Sequence, residues 1–203
     1  MKYFLIITIL VLSSCSPSLR QSYKKLSKPE KSWLLFHPLK AKKAFLISKE
    51  AVEVKDSISN FGSIGKDNNG GRLDAFKHSY WMARLSQGIG KRAALKLGKA
   101  HEKGNYLTFK KQKLEDSYVP DKASSTMDLY NNNFGLVLGY TNKKASKKKI
   151  IQQILLALKK GELRILSKDT SGRFLDCKGF VIPKDSLKLR WVNRKCLMLS
   201  SLK

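Results

Sequence analysis

The sequence predicts a mainly α-helical protein, a bundle of four to five helices followed by a small C-terminal β-hairpin. Between residues 39 and 160, apolar residues recur at intervals of three and four, which is the period of an amphipathic helix. After residue 173 the pattern changes towards that of strands. Segments rich in glycine, asparagine and aspartate separate the periodic stretches, as expected for loops between helices.

The predicted elements follow one another without any internal repeat. A short helical segment is predicted over 29–36, and longer helices over 39–58, 72–87, 91–103, 125–139 and 146–160. Gly104 and Asn105 are expected to end the helix over 91–103, and residues 106–124 are expected to be irregular. Residues 183–186 are expected to form the turn of the C-terminal hairpin.

The helix over 125–139 is unusual because it contains no lysine or arginine in a chain that has 41 of them. One side of its helical wheel is apolar: Leu129, Tyr130, Phe134, Leu136 and Val137. The other side carries a carboxylate, amides and glycines: Asp128, Asn131, Asn132, Gly135 and Gly139. We therefore expect protein to cover this helix on both sides, and its polar groups to have partners there.

The N-terminus predicts a secreted protein anchored by lipid. A lysine precedes an apolar run over 3–12, which is too short to span a bilayer and is typical of a signal peptide. Leu12-Ser-Ser-Cys15 resembles the lipobox of bacterial lipoproteins, which implies cleavage after residue 14 and lipidation of Cys15. Because Ser16 is not aspartate, the resemblance implies sorting to the outer membrane in a Gram-negative cell. The alternative is an ordinary signal peptide. Residues 15–28 are interpreted as a flexible tether, and residues 29–203 as one domain.

The charge balance is strongly basic, with a formal net charge of +26 and only 15 acidic residues. Two interpretations are open. A basic face could bind anionic lipid, lipopolysaccharide or nucleic acid. The lysines could instead form a merely solvated surface.

Besides Cys15, the chain contains two cysteines, Cys177 and Cys196. They are too few for a cysteine-based zinc site. In a simple hairpin that turns at residues 183–186, Cys177 would face Val192, and Cys196 would lie about 13 Å further along at the rise of a strand. A disulfide needs Cα atoms within about 7 Å, so the predicted register disfavours a 177–196 bridge.

Three predicted helices place polar residues on their inward sides. Asp74 and His78 are four residues apart and share one helical face, His101 lies at the centre of the apolar arc of the next helix, and Asp128 and Asn132 follow in the third. We expect these side chains to converge on a catalytic site. His78, His101 and Asp128 are the candidate ligands of a divalent metal, or act together on a water, and Asp74 would orient the His78 imidazole.

A purely structural interpretation is also open for each residue. Ser125-x-x-Asp128 matches a capping box with aspartate in the place of glutamate, so Asp128 could close the start of its own helix. Asp74 could interact with a helix dipole, and the two histidines could bond separately to backbone carbonyls.

The three motifs also resemble those of an uncharacterised bacterial domain. They are Asp74-Ala-Phe-Lys-His-Ser-Tyr-Trp81, His101-Glu102 and Met127-Asp-Leu-Tyr-Asn-Asn-Asn-Phe-Gly135. The family pattern is D-A-F-R-H-x-Y-W, then H-E, then M-D-L-H-N-N-x-x-G, and the resemblance covers residues 68–140. It implies a shared site without a known reaction. The chain departs from the pattern at Lys77 and at Tyr130, where a histidine is common.

Two functions are consistent with these features. The first is a hydrolase of the cell envelope that acts on an anionic substrate by water attack, because no nucleophilic serine or cysteine motif is present. The second is a non-enzymatic envelope lipoprotein whose polar core is structural and whose lysines bind anionic lipid, an anionic polymer or a partner protein.

Overall fold

The computed structural model describes residues 17–111 and 119–201, and this part of the chain is mainly helical with one small antiparallel sheet. Cys15 and the apolar N-terminal run lie outside the described residues. The helices are α1 (Pro17–Lys25), α2 (Lys28–Phe36), α3 (Pro38–Phe61), α4 (Arg72–Ile89), α5 (Lys91–Lys110), α6 (Lys122–Thr141), α7 (Lys147–Lys160) and the single turn α8 (Lys184–Leu187). The strands are β1 (Arg164–Leu166) and β2 (Leu197–Leu199). No helix of the described ranges is long and apolar enough to cross a membrane.

Helix α4 is the centre of the bundle and is buried on most of its circumference. Phe76 and Tyr80 pack into one apolar cluster with α7, which supplies Ile150 and Ile154. On another side, α4 packs into a second cluster formed with α2, α3 and α5. The predicted helix over 72–87 is therefore confirmed, and its position between two clusters explains why so few of its residues reach solvent.

Helix α6 packs against α4 through its two glycines. A Cβ atom on Gly135 would lie 2.0 Å from the carbonyl oxygen of Ser79, and one on Gly139 would lie 2.1 Å from that of Ala83. The backbones of α4 and α6 are thus so close that no side chain fits between them at these two positions. The glycine side of α6 therefore has to face inward. The aspartate and amides on that side are buried with the glycines.

The opposite side of α6 does not meet the expectation that protein covers both sides. Leu129, Tyr130 and Val137 are each 43% exposed. This expectation is wrong because the helix buries its polar and glycine face, where close backbone contact is available, and turns part of its apolar face outward.

The boundaries of α5 and α6 differ from the predicted ones for local reasons. Helix α5 continues past Gly104 to Lys110, because Gly104 serves close packing rather than helix termination: its Cβ position lies 2.4 Å from Ser27 Oγ. Helix α6 begins at Lys122, and the side chain of Asp121 accepts a hydrogen bond from Ser124 N. Asp128 therefore lies inside the helix, and the capping-box interpretation of Asp128 is wrong.

The segment interpreted as a tether is helical from Pro17 to Lys25. Proline at the first helical position and lysines in the last turn favour this helix. A capping box then starts α2, in which Ser27 and Glu30 exchange side-chain and backbone hydrogen bonds.

The C-terminal hairpin is not the one that the sequence predicted. Strand β1 pairs with β2, with Ile165 opposite Met198, and residues 184–187 form the turn of α8 rather than a hairpin loop. Two tight turns lie between the strands, each closed by an aspartate that accepts backbone N–H groups, Asp169 and Asp176. These turns fold the chain back twice, so the long strands required by the predicted register do not form.

The prediction that Cys177 and Cys196 stay unbridged is also wrong. Their Cα atoms lie 4.8 Å apart and the sulfur atoms form a disulfide. Cys196 N donates to Leu175 O, and Ser167 N donates to Cys196 O, so the last segment runs between two parts of the turn region. The predicted register failed because it assumed one continuous hairpin over this region.

Reduction of this disulfide is expected to destabilise the C-terminal region. The bridge closes a loop of 19 residues, for which loop-closure entropy predicts a contribution of roughly 3 kcal/mol. Non-reducing mass spectrometry should find the 177–196 peptide pair, and urea denaturation with and without reductant measures the contribution. Equal stability of Cys196→Ser and the oxidised protein would contradict it.

The contact between α4 and α6 predicts a large effect of a single methyl group. Gly135→Ala or Gly139→Ala forces the two backbones apart and is expected to lower the free energy of unfolding by about 1–3 kcal/mol or more. Gly98→Ala is a suitable control, because the atoms nearest to its Cβ would belong to the flexible end of Met82, at 3.1 Å, rather than to a backbone. Denaturation midpoints of the three variants test this, and an unchanged midpoint for Gly135→Ala would contradict the close approach.

Candidate active site

The candidate site lines a cavity of about 330 Å³ among α2, α3, α4, α5 and α6. Its polar lining includes Glu30, Asp74, Lys77, His78, His101 and Asp128. Four of the five predicted catalytic residues thus face one cavity, and the fifth, Asn132, contacts His78 from behind. The apolar side chains of Trp81, Ala51 and Val52 complete part of the wall.

Asp74 is fixed at the start of α4. Its Oδ2 accepts a hydrogen bond of 2.8 Å from Gly70 N, and its Oδ1 lies 2.9 Å from Lys77 Nζ. Burial alone would raise the pKa of this carboxyl group, but the charge of Lys77, the electrostatic interaction with His78 and the Gly70 hydrogen bond outweigh burial and lower it. Asp74 is therefore an anion in the folded protein.

His78 lies between two carboxylates and an amide. Its Nε2 is 3.5 Å from Asp74 Oδ1 and 3.3 Å from Asp128 Oδ1, and its Nδ1 is 3.3 Å from Asn132 Oδ1. Burial and the nearby Lys77 charge lower the pKa of His78 to about 3. The imidazole is therefore neutral at neutral pH. With Asn132 Oδ1 as acceptor, Nδ1 carries the proton and the Nε2 lone pair faces the two carboxylates.

This arrangement fits a divalent cation. Asp74, His78 and Asp128 are all buried, and each offers one ligand atom within 4.8 Å of the others. Two ligands about 2.1 Å from one tetrahedral ion lie about 3.4 Å apart, which matches the two separations measured from His78 Nε2. A cation between the Nε2 lone pair of His78 and the two carboxylates would also offset the electrostatic repulsion among these three groups. The nitrogen and oxygen donors suit zinc, manganese or iron.

His101 lies beside this cluster rather than in it. Its ring centroid is 6.3 Å from that of His78, and its ring forms a T-shaped pair with the Trp81 ring. Its Nδ1 is 3.0 Å from Glu30 Oε1. The two histidines thus lie next to each other. The third candidate metal ligand, beside His78 and Asp128, is however Asp74 and not His101, which the sequence predicted.

Three residues in or next to the site were given no role in it by the sequence analysis. Glu30 pairs with His101, and although burial opposes ionisation, the contact with His101 lowers the pKa of Glu30. Glu102 is buried, accepts a hydrogen bond from Ser125 Oγ at 2.8 Å, and has a pKa raised by burial. Lys77 lies at the cavity wall, although the helical periodicity predicts that it faces solvent. Only Glu30 could have been noticed in the sequence, because it is the lone acidic residue between positions 16 and 49 and stands at the end of a capping box.

The helical periodicity predicts that Lys77 and Arg84 on α4, and Lys96 and Lys99 on α5, face solvent. This prediction is wrong for α4 and confirmed for α5. Lys77 bends over Asp74 and its side chain is only 21% exposed. Arg84 pairs with Glu50, with Nε and Oε1 2.8 Å apart. Because α4 is surrounded by other helices, its basic side chains are close enough to acids to pair with them. Lys96 and Lys99 on α5 point to solvent.

Tyr130, where the family pattern commonly has histidine, lies away from the cluster. It is 43% exposed, and the Arg164 guanidinium lies 4.4 Å from its ring centroid. Tyr130 is absent from the cavity lining. The imidazole and carboxylates of the site are therefore complete without a histidine at position 130.

The fold and the site together define a helical protein with a buried imidazole–dicarboxylate cluster at the wall of a cavity. The chain belongs to the family described as a domain of unknown function (DUF6973), whose model matches residues 31–162. Comparison with curated proteins and with solved structures gives no match. All five predicted catalytic residues lie within the matched region.

The depressed pKa of His78 predicts a pH-dependent stability of the metal-free protein. An unfolded histidine takes up a proton near pH 6.5, whereas the folded one does so only near pH 3. Since the unfolded state binds more protons between these values, the free energy of unfolding should fall by roughly 1 kcal/mol per pH unit as pH drops from 6.5 towards 3.

The depressed pKa of His78 itself can be measured by nuclear magnetic resonance. The His78 imidazole resonances, assigned by comparison with His78→Gln, should show no titration between pH 5 and pH 8. A midpoint near 6.5 would contradict a buried neutral imidazole.

Proposed function

We propose that the chain is a membrane-anchored envelope lipoprotein whose buried His/Asp/Asn site is a metal-assisted hydrolase of an anionic substrate. The observation that carries this proposal is the convergence of His78 Nε2, Asp74 Oδ1 and Asp128 Oδ1 on one point at the cavity wall. A divalent metal held there would supply a Lewis acid for water attack.

The surrounding residues have distinct roles in this proposal. Asn132 holds the tautomer of His78 that presents a lone pair at Nε2. Lys77, at the cavity wall, maintains the charge of Asp74 and attracts an anionic group of the substrate. His101, oriented by Glu30, exchanges a proton with the reacting group. An anionic substrate such as a phospholipid or nucleic acid suits the strongly basic chain.

Two observations support a location in the cell envelope. The lipobox-like Leu12-Ser-Ser-Cys15 follows an apolar run of signal-peptide length. The Cys177–Cys196 disulfide is of a kind that persists in oxidising compartments and is rare in the bacterial cytosol. With Ser16 after the cysteine, the outer membrane of a Gram-negative cell is the proposed location.

The non-enzymatic alternative is favoured by a different observation. Lys77 Nζ already binds Asp74 Oδ1, so an ammonium group occupies part of the space that a metal needs. In that case His78 would carry its proton on Nε2 and donate it to a carboxylate. Asn132 would turn its Nδ2 to His78, and this Nδ2 has no hydrogen-bond acceptor among the described residues. The polar cluster would then be structural, and the lysines would bind anionic lipid, polymer or a partner.

Metal binding separates the two functions. The full chain carrying Cys15→Ser, treated with chelator, is expected to bind one equivalent of zinc or manganese in equilibrium dialysis. His78→Ala and Asp128→Asn should abolish this binding, and Asn132→Ala should weaken it about 10–100-fold. His37→Ala is the matched control, because the third histidine stacks on Trp33 and does not line the cavity.

The hydrolase assay uses the same variants with bis(p-nitrophenyl) phosphate and with phospholipid vesicles as probes. His78→Ala should lower the rate about 10²–10⁴-fold while circular dichroism shows a folded protein. A folded wild type that binds no metal and hydrolyses neither probe would favour the non-enzymatic function.

Lipidation at Cys15 is tested in cells with an alkyne fatty acid. The wild type should incorporate the label, and Cys15→Ala should leave an unlabelled, poorly processed precursor. Cys177→Ser serves as the control and should keep the label. Label that persists in Cys15→Ala would contradict the proposed anchor.

A further inference from the structure

The junction between α2 and α3 exposes a cluster of large apolar side chains. Leu35 is 69% exposed, Phe36 is 75% exposed and Leu39 is 97% exposed. They occupy the last turn of α2 and the first turn of α3, on either side of the bend at His37 and Pro38. Leu46, 53% exposed and seven residues after Leu39, extends the cluster along α3. We call these four residues the apolar corner.

Packing holds the apolar corner in this outward position. On α2, Trp33 is buried and donates from Nε1 to Ala93 O, which fixes that helix against α5. On α3, Ala44 and Ile47 face the core. The remaining apolar side chains cannot turn inward without rotating these helices, so the exposure belongs to the folded state.

The charged residues in the sequence range that holds most of the two helices around the apolar corner, 31–49, are all basic. No acidic residue occurs between positions 31 and 49, and the lysines in this range are Lys31, Lys40, Lys42, Lys43 and Lys49. Lys40, Lys42 and Lys43 are exposed beside the apolar residues. Glu30, the nearest acid before this range, is turned into the cavity towards His101. A surface that combines aromatic and aliphatic groups with lysines is typical of helices that lie in the interface of an anionic membrane.

We propose that the apolar corner inserts into the headgroup region of an anionic bilayer and so orients the protein on the membrane. The side chains of Leu35, Phe36 and Leu39 enter the acyl boundary, and the exposed lysines contact anionic headgroups while their stems lie along the apolar surface. The inference extends the proposed function by adding a second membrane contact, but neither lipidation nor hydrolysis is needed for it.

The test places a fluorescent reporter on the apolar corner. The full chain with Cys15→Ser and Leu39→Cys is labelled with bimane without reductant, so that Cys177 and Cys196 remain bridged. Vesicles of phosphatidylglycerol and phosphatidylcholine contain brominated acyl chains, which quench only a reporter that enters the bilayer. Blue-shifted, quenched emission is expected at position 39.

Val192→Cys provides the matched control. Val192 is 65% exposed and lies between the exposed Arg190 and Arg194, but it is not part of the apolar corner. Its reporter should stay unquenched. Replacing Lys40 and Lys42 by glutamine should lower the ratio of inserted to withdrawn reporter at position 39 roughly thirtyfold, since each lysine near an anionic surface contributes about a fivefold factor.

Several outcomes would overturn the inference. They are equal quenching at positions 39 and 192, an unquenched reporter at position 39, and equal insertion into pure phosphatidylcholine vesicles. A blue shift that depends on protein concentration without vesicles would show that a second copy of the chain covers the apolar corner. Because the reporter lies outside the cavity, metal binding and hydrolysis are measured independently, and failure of either leaves this test intact.

Discussion

The close approach of α4 and α6 is the constraint on which the rest of the structure depends. Glycines on α6 lie directly over backbone carbonyls of α4, so the two helices cannot be separated or rotated independently. His78 projects from one helix, and Asp128 and Asn132 from the other. The short distances among these groups therefore follow from backbone contact and not from the adjustment of long side chains. A site built in this way is held rigidly, as preorganised binding requires.

Burial of charge follows from the same contact. Two carboxylates and an imidazole lie in an apolar bundle where each unpaired charge would be costly. The protein limits that cost with one ammonium group, a backbone N–H and an amide, and by keeping His78 neutral. The Glu50 network with Tyr80, Arg84 and Lys147 shows the same solution outside the lining of this cavity. There, three donors hold one carboxylate and lower its pKa to about 2 against the effect of burial.

The helices and the inward residues were predictable because both follow from local periodicity. Asp74 and His78 share a face by their spacing alone, and the absence of lysine from 125–139 indicated a buried polar side. Glu30 and Lys77 were not identified because their roles depend on neighbours distant in sequence or on the bend of a flexible side chain. The C-terminal register failed for a related reason. Two aspartate-closed turns reverse the chain, and the pairing of β1 with β2 joins residues more than thirty positions apart.

The matched family region begins at residue 31, one position after the glutamate that pairs with His101. The metal-ligand group thus lies wholly in the segment shared with the family, whereas the partner of His101 comes from the helix that leads in from the N-terminus. Leu26 and Glu30 thus form a part of the cavity wall that lies just before the matched region. The entrance can therefore be altered by substitutions at positions 26 and 30 that leave the imidazole and the carboxylates of the centre in place.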